Sequence, residues 1–190
     1  MTKNRLEAFS DGVIAIIVTI MVLELKTPNG SSWTALSSIF PMMNTYIFSF
    51  IMVWIYWNNH HHLFHFVKHI NGKVLLANGH LLFWLSLLPF ATAWLGNYFE
   101  PLPVATMGFV LLMAGIAYYI LSITLVKTHG SDSALAKAVG KDFKGIISVV
   151  AYSAGIGLAF VTPVISSIIY LIVAIMWLLP DRRIEHLVHE

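Results

Sequence analysis

The chain has 190 residues, of which 58% are hydrophobic and 11% charged, with a mean hydropathy of +0.78; soluble domains carry roughly 25% charge, so a water-soluble globule is excluded and an integral membrane protein is indicated. A net charge of +2 offers neither a nucleic-acid footprint nor a surface for acidic substrates. No cysteine is present, which rules out disulfides, thiolate metal sites and cysteine nucleophiles and leaves the redox compartment open.

A membrane-spanning helix needs about 20 mostly apolar residues, and the chain can be divided on that basis. The first run, residues 6–25, lacks a small-residue cleavage site and stops at "KTPNG", so it reads as a span rather than a signal peptide. The second, residues 33–66, is too long for one simple span, which leaves its "HHHLFHFVKH" end to project past the membrane. The third (74–95) ends at "GNYFEPLP", and the fourth (104–126) ends in the polar loop "KTHGSDSALAKAVGKD". Residues 143–179 exceed one span, and Thr162–Pro163 is where they fold into two helices. The expectation is an all-α, single six-span transmembrane domain over residues 1–190, with no soluble domain.

Lysine and arginine positions set the orientation. Lys3, Arg5, Lys68, Lys73, Lys127, Lys137, Lys141, Lys144, Arg182 and Arg183 fall on one side of such a six-span chain, and only Lys26 falls on the other. The positive-inside rule then puts both termini in the cytoplasm, in the cell (inner) membrane.

On the first helix, at about 100° per residue, Ile16, Thr19, Ile20 and Leu23 share one stripe, while Asp11 falls about 140° from Ile16. An aliphatic stripe of this kind is ordinary packing or a functional face. The acid faces protein or water rather than lipid.

Arg5, Phe9, Ser10 and Asp11 spell R-x-x-x-F-S-D, followed by Gly12–Val13 and by "LEL" at Leu23–Leu25. This resembles the signature of the endolysosomal potassium channel family, transmembrane protein 175, and its bacterial homologues. "WNNHHHLF" at residues 57–64 is similar to that family's W-x-N-H-H-x-x-F segment, and "LLANGHLLFWLSLLPFAT" resembles its third helix at Asn78, Pro89, Phe90 and Thr92. The resemblance implies a homotetrameric cation channel, not an enzyme, with the first helix of each subunit lining a pore for potassium and other monovalent cations. It also implies that Ile16 forms the narrowest ring, that Thr19 bears on potassium preference, and that Ile20 and Leu23 face the pore. No cofactor or resident metal is implied.

Physical chemistry limits what such a pore can do. T-V-G-Y-G filters use free backbone carbonyls, whereas a continuous helix has already engaged its own. Rings of Ile and Leu exclude water when narrow, and a Thr hydroxyl partly replaces a lost water ligand, so modest potassium selectivity is expected. "TMGFV" at Thr106–Val110 shares only Thr and Gly with the filter sequence in register and opens a helix, so it is set aside.

The resemblance surrounds Asp11 with donors from the second and third helices, namely Trp57, His60, His61 and Asn78, with Arg5 nearby, as a hydrogen-bonded anchor for the pore helix. Glu24, at the outer helix end, reads as a solvated interfacial acid or as negative potential at the pore mouth. His60, His61, His62, His65 and His69 include pairs four apart that suit a transition metal. Two alternatives therefore stand beside the channel. One is an intramembrane zinc-dependent hydrolase using Ser10, Asp11 and histidines; the other is a divalent-metal transporter, for which few mid-membrane ligands exist.

Overall fold

The apolar runs become helices whose ends are set by residues that satisfy, or never had, free backbone groups. The computed structural model describes residues 2–140 and 143–178. The first run is α1 (Lys3–Leu23). The second run divides: a short α2 (Trp33–Ser37), capped by Ser32 Oγ accepting from Ala35 N–H at 3.1 Å, precedes α3 (Phe40–His65), which carries Pro41 in its first turn. The excess length expected of that run is thus taken up at its beginning as well as at its histidine-rich end.

The third run is one bent rod made of α4 (Gly72–Ser86) and α5 (Leu88–Asn97). Pro89 has no N–H to continue the ladder, and Leu87 N–H instead reaches Trp84 O at 3.2 Å, a tighter turn that marks the bend. Asn71 caps α4 through Val74 N–H at 3.0 Å. The fourth run is α6 (Pro101–His129), followed in the polar loop by a short α7 (Ala134–Val139) with Ser133 as its cap. The last run folds at the expected break into α8 (Phe143–Leu158) and α9 (Pro163–Leu178).

Among the described residues, three rods are long and apolar enough to cross a membrane: Lys3–Leu23, Gly72–Asn97 and Pro101–His129. With α3 and the shorter apolar α8 and α9 they give six, the all-α membrane architecture expected. Of the basic residues used for orientation, Lys141, Arg182 and Arg183 lie outside the described residues.

Helix α6 forms the middle of the bundle, packed against α4, α5, α8 and α9. Its Leu111, Ala114, Ala117, Leu121 and Leu125 recur at helical spacing and are fully buried. Small residues allow close approach on its far side: the ring of Tyr170 from α9 sits between Gly108 of α6 and Gly155 of α8, where an added Cβ at either glycine would collide with it. Helix α1 packs on the other flank, against α3, α4 and α5. Its partners are tied together by Thr92 of α5, whose hydroxyl donates to Leu88 O at 2.7 Å and lies 2.6 Å from the Ser49 hydroxyl of α3.

Candidate pore face and its polar anchor

Helix α1 presents three directions. Leu6, Ser10, Ile14, Ile17 and Met21, spaced three or four apart, are buried against α3, α4 and α5. Ile16 (58% exposed), Ile20 (43%), Leu23 (79%) and Thr19 lie on the open side. The contrast between neighbours is sharp, because Ile17 is only 3% exposed. Thr19 Oγ1 donates to Ile16 O at 2.8 Å, so its lone pairs are left to face outward from the helix.

Inside the bundle, the anchor is built on Ser10. Its hydroxyl donates to Leu6 O at 2.9 Å and accepts from Asn78 Nδ2 at 2.9 Å. Because the amide nitrogen of Asn78 is committed to Ser10, its oxygen is the acceptor for His60 Nε2–H at 2.8 Å. Ser10, Asn78 and His60 are 0%, 1% and 2% exposed, so this relay joins α1, α4 and α3 within the core. The His60 ring is held flat against Phe64, with centroids 4.3 Å apart.

Asp11 takes a third direction. It is exposed, and its Oδ1 accepts from Trp57 Nε1–H at 3.0 Å. Trp57 stacks on His61 at 5.8 Å and meets Trp54 at 5.0 Å. The donors expected around Asp11 are therefore divided: His60 and Asn78 serve Ser10, His61 supports Trp57, and only Trp57 reaches the acid. The cause is the 100° step between adjacent helical residues, which lets Ser10 or Asp11 face the core but not both. A 360 Å³ groove between α1 and α3 opens beside them, lined by Asp11, Ala15, Thr19, Phe50, Trp54 and Trp57 among others. Arg5 and Phe9 are exposed, and Arg5 forms no hydrogen bond or ion pair among the described residues. Glu24 is the exposed C-cap of α1.

The remaining histidines disperse along the end of α3 and beyond. His62 is half-buried, His65 is exposed, and His69 stacks on His129 of α6 with centroids 6.2 Å apart. Among the described residues no three His, Asp or Glu side chains converge as a metal site requires. Thr106–Val110 lies within α6, with Gly108 pressed on Tyr170. His129 was missed from sequence. Its Nε2 accepts from the backbone N–H groups of Lys68 and His69 at 2.9 and 3.2 Å, with Nδ1–H on Leu125 O at 2.9 Å, which fastens the α3–α4 connection to the end of α6. A lone His before a glycine carries no signal for that role.

The family model for the endosomal/lysosomal potassium channel TMEM175 matches residues 5–89, the segment that holds α1, the Ser10 relay and the Pro89 bend. The whole chain is 56% identical to a potassium channel of Chryseobacterium sp. (strain P1-3), over the full length of both. It is 30% identical over 174 residues to a potassium channel of Streptomyces collinus, 84% of each chain. Over 103 residues it is 35% identical to the human endosomal/lysosomal proton channel TMEM175, spanning 48% of this chain and 20% of that one. The fold is similar to the crystal structure of a lysosomal potassium-selective channel TMEM175 homologue from Chamaesiphon minutus, with a TM-score of 0.79 and 26% identity over 93% of this chain and 96% of that one. With 56% identity over its whole length to one relative, the family model on its first half and the fold shared with another, the chain belongs to the TMEM175 channel family.

Proposed function

We propose that this chain is the single-domain subunit of a homotetrameric, potassium-permeable cation channel whose pore is lined by α1 of each copy. The observation that carries the reading is the division of α1: a continuous spanning helix buries Leu6, Ser10, Ile14, Ile17 and Met21 and leaves Ile16, Thr19, Ile20 and Leu23 open along one face. Four Ile16 side chains form the narrowest ring, and it conducts when it is wide enough to wet. Thr19, its hydroxyl proton engaged by Ile16 O, offers oxygen lone pairs to a partly dehydrated cation. Selectivity for potassium over sodium is modest, because α1 has no free carbonyls within its length. The Ser10–Asn78–His60 relay holds the pore helix, and Asp11 with Trp57 braces its flank. Both termini face the cytoplasm, in the cell membrane, in keeping with the lysine and arginine distribution.

The relatives' names support a channel over the hydrolase and the transporter, as does the lack of any three His, Asp or Glu side chains converging among the described residues. The test is a potassium-driven flux assay on the purified protein in liposomes, with and without zinc. Flux without metal is expected. Metal-dependent turnover of a substrate with no flux would overturn the reading.

A further inference from the structure

A second cavity, of 270 Å³, lies between α3, α6 and α8, remote from the Asp11 groove. Five aromatic side chains wall it, Tyr56, Tyr118, Tyr119, Tyr152 and Trp177, together with aliphatic residues and Gly115. The floor is buried, with Met52 and Tyr152 each 2% exposed, whereas Ile146 and Val150 at the mouth are each 64% exposed. Among the described residues no Asp, Glu, Lys, Arg or His lines it. An ion finds no counter-charge there, and a neutral molecule is what such walls accept.

Part of the polar lining is engaged by protein: Tyr56 Oη donates to Leu111 O at 3.3 Å, Tyr118 Oη to Asn59 O at 3.2 Å, and Trp177 Nε1 to Ser148 Oγ at 2.9 Å. Three groups are not. Among the described residues the hydroxyls of Tyr152 and Tyr119 have no hydrogen bond, and Asn59, whose Nδ2 donates to Ile55 O at 2.8 Å, has no partner for its amide oxygen. Tyr152 stands about 14 Å along α8 from Phe143, by 1.5 Å per residue, against about 15 Å for half the hydrocarbon thickness. The polar groups of phospholipids stay at the interface, so whatever pairs with this hydroxyl has to dissolve in the hydrocarbon. The cavity lies just below the roughly 300–1,000 Å³ of pockets for drug-sized ligands, which suits one small ring system.

We propose that this cleft binds a neutral, ring-bearing alcohol or phenol dissolved in the membrane. The ring lies among the aromatic walls. Its hydroxyl accepts from Tyr152 Oη and donates to the Asn59 amide oxygen, with Tyr119 on the open side. A hydroxyl is the one group that serves both, since tyrosine donates or accepts whereas the amide oxygen only accepts. Each such hydrogen bond, made where the protein group otherwise has none, is worth about fivefold in affinity over the matching hydrocarbon.

The native chain has no cysteine, so Ile146→Cys at the mouth takes a single trifluoromethyl tag whose fluorine resonance senses an aromatic ring in the cleft. In detergent micelles, 2-naphthol is compared with 2-methylnaphthalene at matched mole fractions. Partition into the micelle alone moves the signal in proportion to the compound, whereas a site saturates. 2-Naphthol should reach half-saturation at about one-fifth of the mole fraction that 2-methylnaphthalene needs, or less. Adding Tyr152→Phe, which removes a hydroxyl that no described residue binds, should weaken 2-naphthol about fivefold and leave 2-methylnaphthalene where it was. Adding Gly115→Leu, which extends into the cleft from a position where a Cβ meets only Tyr56 Oη at 3.7 Å, should abolish saturation by both. The proposal is overturned by a shift that never saturates without those two changes, by equal half-saturation of the two compounds, or by a naphthol preference that Tyr152→Phe leaves unchanged. The fluorine signal reads this cleft independently of ion flux, so a failure here leaves the channel reading intact.

Discussion

Asn78→Leu is the perturbation that tests what holds α1. Leucine keeps the approximate volume but removes at once the amide N–H that donates to Ser10 and the carbonyl that accepts from His60. Ser10 loses one accepted bond and keeps its own donation to Leu6 O. Interhelical hydrogen bonds within membranes average about 0.6 kcal/mol, so that loss is small. His60 fares worse: it is 2% exposed and has its Nε2–H aimed at the vanished carbonyl. A buried donor left without a partner costs about 1–3 kcal/mol. Together the loss comes to roughly 2–4 kcal/mol, dominated by His60. Asp11→Ala removes one exposed bond from Trp57 and should cost about 1 kcal/mol or less.

For a chain of this size 1 kcal/mol moves Tm by about 2–4 °C. Thermal unfolding in detergent, followed by tryptophan fluorescence, should therefore show Asn78→Leu melting about 4–16 °C below wild type and Asp11→Ala at most about 4 °C below it. Adding His60→Phe to Asn78→Leu removes the orphaned donor and should recover at least about 1 kcal/mol relative to the sum of the two single changes. If Asn78→Leu melts no lower than Asp11→Ala, or the double variant is simply additive, the relay is not what holds the helix.

Ile16→Asn should leave stability within about 0.5 kcal/mol of wild type while raising cation flux and weakening potassium over sodium discrimination in liposomes. Ile17→Asn, 3% exposed, should instead cost about 2–5 kcal/mol, and the reverse pattern would put the pore face on the wrong side of α1. Tyr170 Oη is buried with no hydrogen-bond partner among the described residues, so Tyr170→Phe should raise stability by about 1 kcal/mol. Gly108→Ala, which collides with that hydroxyl, should lower it by about 1–3 kcal/mol and be partly rescued by Tyr170→Phe, as read by melting. His129→Ala removes the acceptor of two backbone amides, and hydrogen exchange at Lys68 and His69 should quicken about tenfold while the membrane-buried part of α6 stays protected.

The rods and their breaks were legible because prolines and turn residues act locally. "KTPNG", Pro89 and Thr162–Pro163 each interrupt a ladder wherever the rest of the chain lies. The open stripe of α1 was legible as a stripe, since spacing alone fixes relative angles along a helix. Spacing does not fix which way a helix is turned. Asp11 lies about 140° from Ile16 in one sense, whereas the buried residues cluster about 120° away in the other, so the acid sits at the edge of the buried face and Ser10 inside it. The partners of Ser10, Thr92 and His129 come from residues 68, 43 and about 60 positions away, and the glycine cradle of Tyr170 from two other helices. Such pairs depend on how rods rotate and slide against one another, which a single sequence does not encode in any local pattern.

The exposure of Asp11 bears on assembly as well as on the anchor. It stands about 12 Å along α1 from the helix start, by 1.5 Å per residue, beside the groove that also holds Thr19. A carboxylate presented to lipid in a spanning helix costs about 2.5–3.5 kcal/mol by insertion measurements. The single bond from Trp57 satisfies one of its oxygens and leaves the other without a partner among the described residues. A lone protomer in hydrocarbon would therefore carry that penalty, while Ile16, Ile20 and Leu23, open on the neighbouring face, would be as content with lipid as with anything else. The aliphatic stripe alone gives α1 no reason to leave the lipid. The acid does: in the proposed homotetramer its second oxygen gains a partner from water or a neighbouring copy, whereas Thr19 has already given its proton to Ile16 O.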